Sequence, residues 1–226
     1  MASIPAWLKP SKTVPHAPWS AHGSVWKAKP VTYFTLILGL WAFGTGEAAL
    51  VAAQAGQSPW VVFAEGLSIQ TGLTIGWTTA LISIAVLLFW IPLKRKPGAG
   101  TLLNVVVIAA ALQIMIPYLP EPKTLGPQLL QTVIGIGIVG FGSALYIPAH
   151  LGPGPRDGLM TGLHFKTGIP VARIRLSIEI VVMTIGWLLG GTLGIGTFLF
   201  AALVGYSVAF WFGVVHRIDQ KYPTVN

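Results

Sequence analysis

Two stretches decide the architecture: GQSPWVVFAEGLSIQTG at residues 56–72 and GPGPRDGLMTGLHFKTG at residues 152–168. Gly56 and Pro59 answer to Gly152 and Pro155, Gly66 to Gly162, and Thr71-Gly72 to Thr167-Gly168, at a constant offset of 96 residues. The register runs outward without a gap. Residues 39–103 against 135–199 give nineteen identities in sixty-five positions, among them Gly98, Gly100 and Thr101 against Gly194, Gly196 and Thr197. The chain is an internal duplication.

Each repeated stretch reads as a short helix. Proline at the first helical position starts it, and glycine, which accepts the left-handed cap, stops it. About 13 residues at 1.5 Å each make roughly 20 Å, too short to cross a hydrocarbon core of about 30 Å. Two readings stay open: an amphipathic helix lying at the membrane interface, or a pair of half-helices dipping in from opposite faces to line a central site.

The surroundings are membrane sequence. Of 226 residues, 54% are hydrophobic and 9% charged, with a mean hydropathy of +0.73, whereas a soluble domain carries about 25% charged residues. Six spans are expected at about Val31–Ala53, Ile75–Leu93, Thr101–Leu119, Leu129–His150, Ile174–Leu189 and Leu193–Val215. They are continuously apolar, which favours helices over a barrel. Thirteen of the fourteen Lys and Arg fall on one side of these spans, with only Lys123 on the other; the positive-inside rule puts both termini in the cytoplasm.

The fold class expected is therefore all-α and polytopic. It comprises a cytoplasmic tail 1–30, membrane repeat 31–119, an outer linker 120–126, membrane repeat 127–215 and a cytoplasmic tail 216–226. Three spans per copy is an odd number, so the copies enter the membrane inverted. No cleavable signal peptide is visible, and Trp7, Trp19 and Trp26 would let the first tail lie along the headgroups. The net charge of +8 follows topology rather than nucleic-acid binding, and the absence of cysteine excludes disulfides and thiolate metal sites.

The second-repeat string at 152–168, followed by GWLLGGTLGIGTFLFAALVG, resembles the YczE/YitT-like family of bacterial membrane proteins, as does the first-repeat string GQSPWVVFAEGLSIQTGL. The resemblance covers roughly residues 31–215. It implies an integral inner-membrane protein with this arrangement of spans, and no particular reaction.

Ionisable residues inside spans are functional hypotheses by default. Glu47, whose repeat counterpart is Ser143, is either a cation- or proton-coupling carboxylate or an acid close enough to the outer interface to stay hydrated, the latter preferred. Arg175 and Glu179 share a helix face at i,i+4. They form a charge-cancelling pair or, with Arg173, an inner gate for an anionic group; the pair is preferred, with the arginines snorkelling to headgroups. Asp157 suits a helix start, and Arg156 would aim at an anion if its helix were re-entrant. Glu65 lies in the first short helix, and Gln113 is an amide facing either a ligand or a neighbouring helix.

Gly135-Ile-Gly137-Ile-Val-Gly140 matches a dinucleotide fingerprint by letter, but it lies in an apolar span with no strand before it. Close helix packing explains it, because Gly39, Gly44 and Gly46 align with Gly135, Gly140 and Gly142. His164 has no neighbouring ligand at metal spacing and His150 reads as an interfacial polar tip, two turns from Ser143 and out of its reach, so neither metal nor cofactor is expected. With no nucleophile or paired carboxylates at useful spacing, the residues argue against an enzyme. The expectation is a small-solute transporter or channel with its site at the repeat interface; the alternative is a membrane scaffold or assembly factor bound to another membrane protein. Expected partners are the bilayer, anionic lipid at basic loops such as Lys94-Arg95-Lys96, and an unnamed solute. A homo-oligomer is allowed.

Overall fold

The structure, a computed structural model, describes residues 14–221; Trp7, Lys9 and Lys12 of the expected N-terminal tail, and residues 222–226, lie outside the described residues. The described chain is helical: α1 (Pro30–Ala53), α2 (Pro59–Thr71), α3 (Ile75–Leu88), α4 (Ala99–Met115), α5 (Leu125–Tyr146), α6 (Pro155–Thr167), α7 (Val171–Leu188) and α8 (Ile195–Lys221). α2 and α6 have 13 residues each and open on proline. Both close on a left-handed glycine, Gly72 at φ +73° and Gly168 at φ +72°, a conformation that costs glycine nothing.

Four helices, α1, α4, α5 and α8, are long and apolar enough to cross a membrane; α2 and α3, bent by 113° at their junction, make a fifth crossing if counted as one. By length and composition, four or five of the six expected spans meet that test. α3 stops at Leu88 instead of Leu93 because the chain turns through 89–94, where Pro92 breaks the helix and Lys94 takes φ +52°. Its 14 residues extend only about 21 Å. α7 carries Arg173, Arg175 and Glu179 in its first half. α4 and α5 run on into short 3₁₀ turns at Ile116–Tyr118 and Ile147–Ala149, each holding a proline.

α1 crosses α5 through glycine. A Cβ at Gly39 would stand 2.8 Å from the Gly142 carbonyl oxygen, and one at Gly46 2.7 Å from that of Gly135. Replacing each glycine by its equivalent in the other copy, 96 positions on for Gly39 and 96 back for Gly142, turns the first contact into the second. The rule holds elsewhere. The Gly100 amide donates to Leu151 O at 2.7 Å, and the Gly196 amide donates to Ala55 O at 2.7 Å; Gly44 lies against Ala111 of α4, and Gly140 against Ser207 of α8. Outward-facing Phe34, Leu88, Val106 and Phe198 leave an apolar surface that suits lipid rather than water.

Residues 14–29 are tied to one end of the bundle. Trp19 Nε1 donates to Leu145 O at 3.0 Å, Ser20 Oγ to Pro148 O at 2.7 Å, and the Ala21 amide to Ala149 O at 3.0 Å. Trp19 is thus packed on protein, not laid along headgroups, because its indole N–H finds a carbonyl freed by the Pro148 turn. Trp26 remains 51% exposed.

Candidate functional site

The first turns of α2 and α6 meet inside the molecule. Trp60 and Arg156, equivalent positions of the two copies, stack with the guanidinium carbon 4.8 Å from the ring centroid, a cation–π contact. Around this contact lies a cavity of about 340 Å³, at the small end of the range for ligand pockets.

Its charged walls are Glu47 from α1, Arg156 and Asp157 from α6, and Arg175 and Glu179 from α7; its neutral polar walls include Thr79 and Ser83 from α3, Asn104 from α4 and Ser143 from α5. α8 supplies an apolar side with Phe200, Val204 and Phe212. Many of these walls come as equivalent pairs: Thr79 with Arg175, Ser83 with Glu179, and Ser143 with Glu47. One copy therefore offers hydroxyls where the other offers charge.

The pairing of those charges is uneven. Ser58 Oγ donates to Glu47 Oε2 at 2.7 Å, and Glu47 is only 2% exposed. The hydrated reading of Glu47 is thus corrected: the chain doubles back after Ala53 and lays Ser58 over the carboxylate. Arg175 Nε donates to Glu179 Oε1 at 2.8 Å, the i,i+4 pair expected. Among the described residues, Arg156 makes no hydrogen bond or close ion pair; its guanidinium lies over Trp60 and within electrostatic reach of Glu47 and Asp157. The Asp157 carboxylate makes no hydrogen bond or close ion pair either, and lies within electrostatic reach of Arg175 and Arg156. Asp157 lies deep among protein atoms yet keeps exposed surface, because that surface is cavity wall. It sits in the first turn of α6, where its charge faces the positive end of the helix.

Three residues grouped with the pathway stand elsewhere. Glu65 accepts the Thr192 amide at 2.5 Å and the Thr192 hydroxyl at 3.1 Å, tying α2 to the turn before α8. Gln113 accepts the Thr74 hydroxyl, an interhelical bond between the start of α3 and the last turn of α4. Arg173 is exposed on the first turn of α7. None of the three lines the cavity. The repeat-motif residues form the frame: a Cβ at Gly56 would meet the Gly194 amide and the Thr197 hydroxyl, and Thr101 Oγ1 donates to Pro153 O at 2.7 Å. Thr71 and Thr167 donate their hydroxyls to Leu67 O and Leu163 O, both at 2.7 Å. Among the described residues no group of His, Asp and Glu could hold a metal ion.

The family model described as "Family of unknown function (DUF6198)" matches residues 30–212. The chain belongs to the DUF6198 family. Its similarities within curated proteins run the same way. It is 42% identical over 212 residues to an "Uncharacterized protein" of Haemophilus influenzae, covering 94% of this chain and 97% of that one. It is 32% identical over 180 residues to the "Uncharacterized membrane protein YczE" of Bacillus subtilis, covering 79% and 83%. It is 23% identical over 184 residues to the "Uncharacterized protein YyaS" of the same organism, covering 80% and 92%. No solved structure matches. The family match spans α1 to most of α8 and so takes in every wall of the cavity.

In this DUF6198 chain the sequence reading passed over Trp60, Thr79, Ser83 and Asn104, all cavity walls. A signal existed for three of them. Trp60, Thr79 and Ser83 lie 96 positions before Arg156, Arg175 and Glu179, so the repeat register alone points from the charged residues to their neutral counterparts.

Proposed function

We propose that this DUF6198 protein is a small-solute transporter of the bacterial cytoplasmic membrane, acting without enzymatic chemistry. In this reading six segments, two of them short, cross in two inverted repeats with both termini in the cytoplasm, and α2 and α6 are re-entrant half-helices. The contacts that recur with their halves exchanged support the inversion, and the basic loops support the orientation, with Lys94-Arg95-Lys96 drawing anionic lipid. Inverted repeats with broken helices around a shared site suit alternating access.

One asymmetry carries the reading. α3 packs along α4, with Gly76 against Ala109 and Gln113, and the Thr79 and Ser83 face is buried. Their counterparts α7 and α8 barely touch. Ala172 and Arg175 are exposed, and nothing stands within 4 Å of a Cβ placed on Gly205. The cavity is closed on one copy's side and open on the other's. Exchanging the two copies' conformations produces a second state, with α7 closed on α8 and α3 parted from α4.

The experiment is flux of a panel of labelled small solutes into proteoliposomes, comparing wild type with an Arg175→Gln, Glu179→Gln double variant. Uptake by wild type that falls in the variant supports transport. No flux above protein-free vesicles, together with stoichiometric co-purification of a membrane partner, overturns it in favour of a scaffold.

A further inference from the structure

The hydrogen-bonding groups that the cavity leaves unused define its ligand. Five charged side chains face the space; Ser58 donates to Glu47, and Arg175 pairs with Glu179. Arg156 and Asp157, neighbours in the first turn of α6, make no hydrogen bond or close ion pair among the described residues, and both line open space large enough for a solute.

Their complement is a molecule with one negative and one positive group a few ångströms apart. The guanidinium is a planar fork matched to a carboxylate, and it is held over the Trp60 ring at 4.8 Å. The first amides of α6 add their dipole on the same side. Thr79 Oγ1, buried without a partner, offers one further hydrogen bond, and Phe200, Val204 and Phe212 form an apolar wall for a side chain.

We infer that the cavity takes a small zwitterion of the α-amino-acid kind, its carboxylate on Arg156, its ammonium on Asp157 and its side chain toward α8. A simple anion would leave the Asp157 carboxylate without a hydrogen-bond donor, and a simple cation would leave the Arg156 guanidinium without an acceptor. The inference rests on the reading of the cavity as a solute site.

The test is equilibrium binding to the detergent-solubilised full chain. The common L-α-amino acids are tried singly as thermal-shift ligands; the tightest binder is then compared with its N-acetyl derivative, which keeps only the negative charge, and its methyl ester, which keeps only the positive one. The expected result is binding of the parent with each derivative about thirtyfold weaker or worse, the scale of losing one partner of a desolvated charge pair. Arg156→Gln and Asp157→Asn should lose binding to the same degree and Arg156→Lys should recover part of it, in proteins that elute as wild type on gel filtration. Because the derivatives are tested on the wild-type protein, a misfolded variant leaves the test intact. No binding by any amino acid overturns the inference. So does an N-acetyl derivative, or an ester, that binds as well as its parent, since that marks a plain anion or cation site. Binding without flux in proteoliposomes keeps the ligand class and removes transport; flux of another solute without amino-acid binding does the reverse.

Discussion

The Arg156 guanidinium carbon lies over the Trp60 ring, 4.8 Å from its centroid, and each is the residue that follows the opening proline of its short helix. The same position in two copies of one sequence thus meets itself, as tryptophan in one and arginine in the other. That contact joins the duplication to the candidate site, because it holds the lone guanidinium against the cavity.

Removing the ring should uncouple the two helices. Trp60 is 6% exposed and packs in a cluster with Ala64, Ile82 and Met160. Trp60→Ala is expected to lower unfolding stability in detergent by about 3 kcal/mol or more, whereas Trp60→Phe, which keeps an aromatic face for Arg156, should cost markedly less. Denaturant titration of both variants checks the order; equal losses would mean that the stack contributes nothing beyond filled volume.

The glycine crossing of α1 and α5 is the most extensive helix contact in the fold. A Cβ at Gly142 would run into the backbone of Gly39 and Phe43, so Gly142→Ala should destabilise by about 1–3 kcal/mol through overpacking. Gly137, on the same helix with nothing within 4 Å of its Cβ position, is the control: Gly137→Ala should be neutral or gain about 0.5–1 kcal/mol from helix propensity. Melting curves of the two variants in one detergent make the comparison.

The strap at residues 14–29 should loosen in acid. Partial burial first, and then the neighbouring His16 and His22, hold the His150 imidazole below its usual pKa; its ring lies 5.6 Å from that of His16, which stands 6.5 Å from His22. A base with a lowered folded pKa binds fewer protons folded than unfolded, so its contribution is intact above about pH 6.5 and stability falls as pH drops through that value. Limited proteolysis within 14–29 should therefore accelerate between neutral pH and pH 5. His150→Asn, a residue that tolerates the φ of +55° found there, should flatten the dependence; an unchanged profile would clear His150 of the role.

Much of this is legible in the sequence. Pro59, Pro155, Gly72 and Gly168 mark helix ends by local backbone chemistry, and the α2 and α6 boundaries fall where those residues put them. The glycine face of α1 likewise follows from spacing alone. What the sequence hid was long-range. Glu47 looks hydrated until the return of 54–58 brings Ser58 onto it. Glu65 looks like a pathway acid until Thr192, 127 residues away, takes both its oxygens. The shortness of α3 was written in Pro92 but masked by continuous hydropathy. The parting of α7 from α8 had no local signal, since it is a difference between two copies of similar sequence.

Disulfide trapping tests the alternating cavity most directly. The chain has no cysteine of its own, so Ala172→Cys with Gly205→Cys introduces the only two thiols, at the positions equivalent to the packed pair Gly76 and Ala109. The account predicts that oxidation in proteoliposomes links them, halts solute flux and is reversed by reductant, because α7 closes onto α8 during each cycle. If both thiols react with a maleimide yet never join, or if the joined protein carries solute as fast as the reduced one, the two copies do not exchange conformations and the account fails.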